Sequence, residues 1–227
     1  GETERARELC DHARAVADEV GDPYLVASAR LVRGELLEAA GGLRDAVAEF
    51  AAAHETFDRI RSRHYAAESA LALARAHLAR GDRTLARSAL ASEWLEALPD
   101  PGGSLAAERE LVAGELALVS GELQEAMRRL AHAKEILLER PDIEGPYRVY
   151  HLLARLRAAA GDEAGAAADA ARAARLLDEL VARVPPAARA AFVRHPRRAA
   201  VLAAAAEREL TPHQFTRALS LEPKPEA

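Results

Sequence analysis

The sequence offers few side chains whose type and spacing suit catalysis. Its eight histidines are scattered, and none has another at the i+3 or i+4 spacing of a helical metal site. No phosphate-binding loop, G-x-G-x-x-G motif or H-E-x-x-H motif occurs. Cys10 is the only cysteine, so one chain can form neither a disulfide nor a cysteine-rich zinc site. The sequence therefore predicts no enzymatic activity, no metal and no cofactor.

Composition narrows the fold and the partners. Half of the 227 residues are hydrophobic and 30% are charged, which is typical of a chain that folds. Only 4% are aromatic, and this disfavours a β-sandwich or barrel. A net charge of −5 argues against a generally basic nucleic-acid binder. No apolar run approaches the ~18 residues of a membrane-spanning helix, and no signal peptide is visible. We expect a cytoplasmic protein without a membrane partner, processed or excised from a longer chain.

Glycines recur at a spacing of 40 residues, at Gly1, Gly41, Gly81, Gly121 and Gly161. Alanine stands five positions after each glycine, and glycine or alanine stands seven positions before the last four. Nine positions after the glycines come Cys10, Phe50, Leu90, Leu130 and Ala170, and twelve after come Ala13, Ala53, Glu93, Ala133 and Ala173. Glycine fits the left-handed end of a helix, and small residues let two helices approach closely. The pattern predicts a helical hairpin repeated with a period of 40.

This order of small, glycine, alanine, bulky apolar and alanine positions resembles the tetratricopeptide repeat, whose usual period is 34. The resemblance implies an all-α, right-handed solenoid of tetratricopeptide-like hairpins. It also implies a scaffold for protein–protein interaction, in the sensory or regulatory segment of a larger bacterial signalling protein. The partner would be another protein or an upstream domain of the same parent chain.

The pattern predicts three regions. Residues 1–184 form the solenoid, as a half repeat and four hairpins; residues 185–210 form capping helices; and residues 211–227 form a loose tail. The expected helices are 2–20, then the pairs 23–40 with 43–61, 64–80 with 82–98, 104–120 with 122–140 and 146–160 with 162–184, then 187–195 and 197–209.

The first helices of such hairpins usually line a concave face, and here they carry charges at matched positions. Six residues before the glycines stand Glu35, Arg75, Glu115 and Arg155. Thirteen residues before them stand Ser28, Glu68, Glu108 and Arg148. One interpretation is a charged groove that recognises a partner peptide. The other is a set of salt bridges between neighbouring repeats, and this interpretation is favoured.

The fourth hairpin departs from the others. Tyr147 and Tyr150 stand where the preceding hairpin has Ala107 and Glu110. With His151 and Arg155, they are a distinctive candidate binding surface. A pocket there would favour an alternative function, the sensing of a small ligand or peptide.

A basic cluster lies near the C-terminal end. The segment 181–200 contains no acidic residue and carries Arg183, Arg189, Arg194, Arg197 and Arg198. It is conceivable as a nucleic-acid or phosphate patch. A pair of capping helices with a solvated arginine face is the favoured interpretation, because the rest of the chain is acidic, and this argues against nucleic acid as a partner.

Single residues carry smaller predictions. Cys10 occupies a core position and is expected to be buried and unreactive. Met127 is expected in the core. Trp94, the sole tryptophan, is expected to pack near the turn at 99–103, with a binding role as the alternative. The helix at residues 2–20 has an apolar face, which raises the hypothesis of end-to-end self-association.

Overall fold

The computed structural model describes residues 2–98, 103–139 and 144–207, and every regular element among them is an α-helix. The all-α prediction is therefore confirmed for these residues. The chain forms two compact units, Gly1–Arg140 and Pro141–Ala227. None of the helices in the described ranges is both long and apolar enough to cross a membrane. The tail predicted at 211–227 lies outside the described residues.

Eight helices are described in the first unit. They are α1 (Glu2–Val20), α2 (Pro23–Ala39), α3 (Leu43–Arg59), α4 (Arg63–Arg80), α5 (Arg83–Leu90), α6 (Glu93–Glu96), α7 (Ser104–Val119) and α8 (Leu123–Glu139). Short turns join α2 to α3 and α7 to α8, and the two helices of each pair pack against one another. α3 also packs against α4, so the core of this unit runs from one helix pair into the next.

Glycine makes the turns between consecutive helices possible at four positions of the chain. Gly41, Gly81, Gly121 and Gly161 have φ angles between +80° and +84°, in the left-handed region where a Cβ is unfavourable. Each lies just after a helix, where a left-handed residue commonly ends helical hydrogen bonding. Asp162, directly after Gly161, caps the next helix by accepting a hydrogen bond from the Gly165 N–H at 2.9 Å, whereas the Asp82 side chain makes no such cap.

Two further glycines set the distance between paired helices. A Cβ at Gly34 of α2 would lie 2.6 Å from Cδ1 of the Phe50 ring in α3, and a Cβ at Gly114 of α7 would lie 2.8 Å from Cδ2 of Leu130 in α8. Phe50 and Leu130 are fully buried. Glycine therefore stands where the facing residue is bulky, as the close approach of the helices requires.

The second unit contains four described helices. They are α9 (Gly145–Ala159), α10 (Glu163–Arg183), α11 (Pro186–Val193) and α12 (Pro196–Ala206). α9 packs along α10, and α12 packs against α10 on the return of the chain. Pro196 interrupts the helical path as predicted and becomes the first residue of α12, where its missing N–H costs nothing. The boundary predicted at residue 184 lies inside this unit.

Two sequence-based predictions for the first unit require correction. The helix expected at 82–98 is broken into α5 and α6. Met127 of α8, expected in the core, is 45% exposed, because it lies at the edge of the buried face of α8, about 100° around the helix from Ala126.

Candidate functional site

The break between α5 and α6 has a cause in the sequence. Ala53 and Ala133, twelve residues after their glycines, are fully buried. Glu93 occupies the same position in the intervening pair, and burying its carboxylate there would be costly. The helix instead ends at Leu90 and restarts at Glu93, which places the Glu93 side chain in solvent and 3.1 Å from Nη1 of Arg61.

α6 is held by the two residues that follow Glu93. Leu95 is fully buried and Trp94 nearly so, in the core shared by α3 and α4. The Trp94 indole N–H donates to Oδ1 of Asp58 at 2.8 Å, and the Arg61 guanidinium lies 4.6 Å from the ring centroid. Trp94 thus anchors α6 to the C-terminal end of α3, whereas most of the turn at 99–103 lies outside the described residues.

A cavity of about 410 Å³ lies beside this break. We call it the α5–α8 cleft, since α5, α6, α7 and α8 all contribute to it. Its floor is apolar and is formed by Leu90, Ala91, Leu95, Ala113, Leu116 and Ala117. Its walls are charged and carry Arg87, Arg109, Arg129, Glu96, Glu122 and Glu125.

Ion pairs hold the walls of the cleft in place. Arg109 and Arg129 both pair with Glu110, a carboxylate that is only 2% exposed, at N···O distances of 2.8 and 3.1 Å. Arg109 also donates to the Leu95 carbonyl at 2.8 Å and so connects α7 to α6. Hydrogen bonds from the neighbouring arginines, Arg128 and Arg129, keep the pKa of the Glu125 carboxyl below its ordinary value. The cleft is therefore built from fixed, ionised groups.

Three of the charges predicted on the first helices, Arg75, Glu108 and Glu68, form ion pairs within the first unit. Arg75 of α4 pairs with Glu38 of α2 at 3.0 Å and with Glu108 of α7 at 3.3 Å, and all three side chains are at most 17% exposed. Glu68 lies 4.0 Å from His64 on the same helix. The arrangement of Arg75 and Glu108 agrees with the prediction of salt bridges between neighbouring hairpins. Glu35 is exposed and Glu115 is half-buried.

The tyrosines of the second unit are core residues. Tyr147 is 1% exposed and Tyr150 is 9% exposed, so their rings do not form the surface expected from the sequence. The Tyr147 hydroxyl donates to Oε2 of Glu144 at 3.2 Å. Burial, reinforced by the nearby Glu144 carboxylate, raises the pKa of Tyr147 to about 12. The remaining predicted residues of α9 are half-buried, namely Arg148, His151 and Arg155.

Two arginines of the basic cluster serve the second unit internally. Arg189 donates to the carbonyls of Val184 and Ala182, at 2.8 and 3.1 Å, and so satisfies the C-terminal end of α10. Arg198 forms an ion pair with Glu144 and lies over the Phe192 ring.

The other members of the cluster differ in exposure. Arg197 is half-buried, and its backbone N–H donates to Nδ1 of His195. Arg183 and Arg194 are exposed. Two arginines of the cluster thus make contacts inside the second unit, and two others are exposed to solvent.

Cys10 lies in the first unit and is 7% exposed, as predicted. Burial, with the neighbouring carboxylate of Asp11, raises the pKa of its thiol and disfavours the nucleophilic thiolate. Across the described residues, no group of three or more histidine, cysteine, aspartate or glutamate side chains is placed to hold a metal ion.

Sequence reasoning missed Glu110, which holds two arginines of the α5–α8 cleft, and Glu38, the partner of Arg75. Glu38 and Glu110 carried a signal, since Glu38 stands where later pairs have Leu78 and Leu118, and Glu110 stands where the preceding pair has Ala70. A charged residue at a buried apolar position requires a partner charge. Glu93 among the alanines carried the corresponding signal for the helix break. The chain matches no protein-family model, no curated protein and no solved structure.

Proposed function

We propose that the chain is a right-handed, tetratricopeptide-like solenoid that binds another protein, or another domain of its parent chain, as a regulatory segment of a bacterial signalling protein. The left-handed glycines at a spacing of 40 and the close helix pairs at Gly34 and Gly114 support the repeat assignment. Stacked helical pairs bury their cores against each other and leave long surfaces for partners.

The observation that carries the binding proposal is the α5–α8 cleft. It combines an apolar floor with charged walls, and the buried Glu110 holds two of its arginines in a fixed geometry. A preformed surface binds with little loss of conformational entropy, because its side chains are already ordered. The concave-face charges support the proposal less, since Arg75 and Glu108 are engaged with each other.

Site-specific photocrosslinking tests this proposal. A benzophenone amino acid replaces Ala91, which is exposed and lines the cleft, and in a matched variant it replaces Ala51, which is exposed on α3 exactly one period earlier. In lysate of the source cell, or with the rest of the parent chain, we expect a protein adduct from position 91 and none from position 51. Mass spectrometry identifies the adduct.

A second pair of variants shows that the adduct depends on the cleft. Ala113→Trp fills the cavity from α7 and should abolish the adduct, whereas Ala131→Trp on the exposed face of α8 should preserve it. Equal adducts from positions 51 and 91, or an adduct that survives Ala113→Trp, would contradict the proposal. If a small molecule from the lysate prevented formation of the protein adduct at position 91, the result would instead support the ligand-sensing alternative.

A further inference from the structure

The walls of the α5–α8 cleft carry three arginines and three glutamates, and these six charges differ in whether they have partners. Arg87, Arg109 and Arg129 are each paired with at least one glutamate. Glu96 lines the same cavity, is exposed, and makes no ion pair or hydrogen bond with any described residue. The cleft therefore presents one carboxylate whose charge no neighbouring cation neutralises.

The arginines of the cleft are poorly placed to hold an anion. Arg109 and Arg129 are both committed to Glu110, which is only 2% exposed. An anionic ligand would have to displace this buried carboxylate and leave it without its partners, which is costly. Arg87 is more accessible, but an anion there would have to displace Glu122, whereas a cation reaches Glu96 without displacing any partner. The cleft thus favours a cationic group over an anionic one.

The size of the cleft limits what carries that cation. An α-helix is about 10 Å wide with its side chains, so a single turn would already fill a cavity of about 410 Å³. One or two side chains fit more readily. The floor offers contact to an aliphatic stem at Leu90, Ala91 and Ala113, which keep exposed surface, and long basic side chains bury such stems while their charged ends stay hydrated.

We infer that the α5–α8 cleft receives an arginine or lysine side chain from a segment of the partner polypeptide, with the stem on the apolar floor and the cation at Glu96. This inference rests on the proposed function and names the chemistry of the partner. The pair Arg87–Glu122 borders the entrance and is largely solvated, so it opens at little cost as the segment enters.

The test uses short, acetylated and amidated peptides that are identical except at the central residue, which is arginine, its neutral isostere citrulline, or glutamate. Each is titrated into the full 15N-labelled chain and followed by NMR. We expect the arginine peptide to shift the amides of Leu90, Ala91 and Glu96, with an affinity about two- to fivefold higher than that of the citrulline peptide, the effect of one exposed ion pair. Glu96→Gln should abolish this preference, whereas Glu55→Gln, an exposed carboxylate on α3, should preserve it.

Several outcomes would overturn the inference. These are equal affinities for arginine and citrulline, tighter binding of the glutamate peptide, a preference that survives Glu96→Gln, shifts confined to other surfaces, or no binding of the arginine peptide at millimolar concentration. Tighter binding of free agmatine than of the arginine peptide would assign the cleft to a small cation instead. In any of these cases, a crosslink that persists at position 91 and is lost in Ala113→Trp would leave the proposed function standing.

Discussion

Arg75 of α4 donates two hydrogen bonds to Glu38 of α2, at 3.2 and 3.0 Å, and so joins two helix pairs through one bidentate contact. Its remaining Nη1 donates to Glu108 of α7 at 3.3 Å. The three helices are each separated along the chain by a whole intervening helix or more. One guanidinium thus connects three successive hairpins of the first unit, and this role explains a charge at a largely buried position.

Replacing Arg75 with methionine should therefore destabilise the first unit strongly. The Glu38 side chain is only 6% exposed, so removal of the guanidinium leaves a poorly solvated carboxylate, at a cost of about 3 kcal/mol. Arg87→Met breaks the exposed pair with Glu122 and should cost less than ~1 kcal/mol. Urea unfolding of the two variants measures both values. Equal losses would show that Arg75 acts as an ordinary surface charge.

Gly34→Ala should also destabilise the first unit, although alanine is the better helix former by about 1 kcal/mol. The new Cβ would clash with the buried Phe50 ring, lying 2.6 Å from its Cδ1, and relieving this contact should cost about 1–3 kcal/mol. Adding Phe50→Leu should recover part of the loss, because the second hairpin combines Ala74 with Leu90. Thermal melts compare the parent, Gly34→Ala and the double variant. If Gly34→Ala were as stable as the parent, the close approach of α2 to Phe50 would be contradicted.

Alkaline pH should weaken the second unit through Tyr147. Its pKa rises from about 10 in an unfolded chain to about 12 in the fold, because burial and then Glu144 disfavour the phenolate. A raised pKa contributes stability that is complete below pH ~10 and is lost as the pH rises toward 12. Tyr147→Phe should reduce this loss, by about 1.4 kcal/mol at pH 11 and by about 2–3 kcal/mol above pH 12. Hydrogen exchange of α9 amides between pH 8 and pH 11 reports the difference.

Acidic pH should weaken the same unit through Glu144. Burial opposes ionisation of this carboxyl, but the hydrogen bond and charge of Arg198 outweigh it and hold the pKa below its ordinary value. A depressed pKa contributes stability above the unfolded value of about 4.3, and this stability is lost as the pH falls through the folded value.

Glu144→Gln provides the measurement. The variant should be less stable than the parent at pH 7 and should lose less stability between pH 5 and pH 3. Melting curves of the full chain, with hydrogen exchange of α9 and α12 to locate the change, separate the second unit from the first. A parallel decline of parent and variant would exclude Glu144 as the source of the acid sensitivity.

The sequence by itself determined the helical class and the ends of most helices. Local backbone chemistry explains this: glycine at a positive φ and proline at a first helical position act on their own neighbours. The position of Gly34 opposite Phe50 was also encoded locally, as a small residue at one offset and a bulky residue at another. Such signals survive in a sequence because each concerns one turn or one pair of helices.

Only the tertiary structure decided how the charges are shared and where a cavity remains. Arg75 pairs with Glu38 and Glu108 because the packing of three helices brings those side chains together, and no offset from a glycine predicts this pairing. The sequence shows Glu93 at a position where the other pairs have alanine. It does not show that the helix is interrupted there, that Trp94 is buried, or that a cavity remains beside α7. Burial decides such outcomes, and burial is a property of the packed chain and not of any single residue.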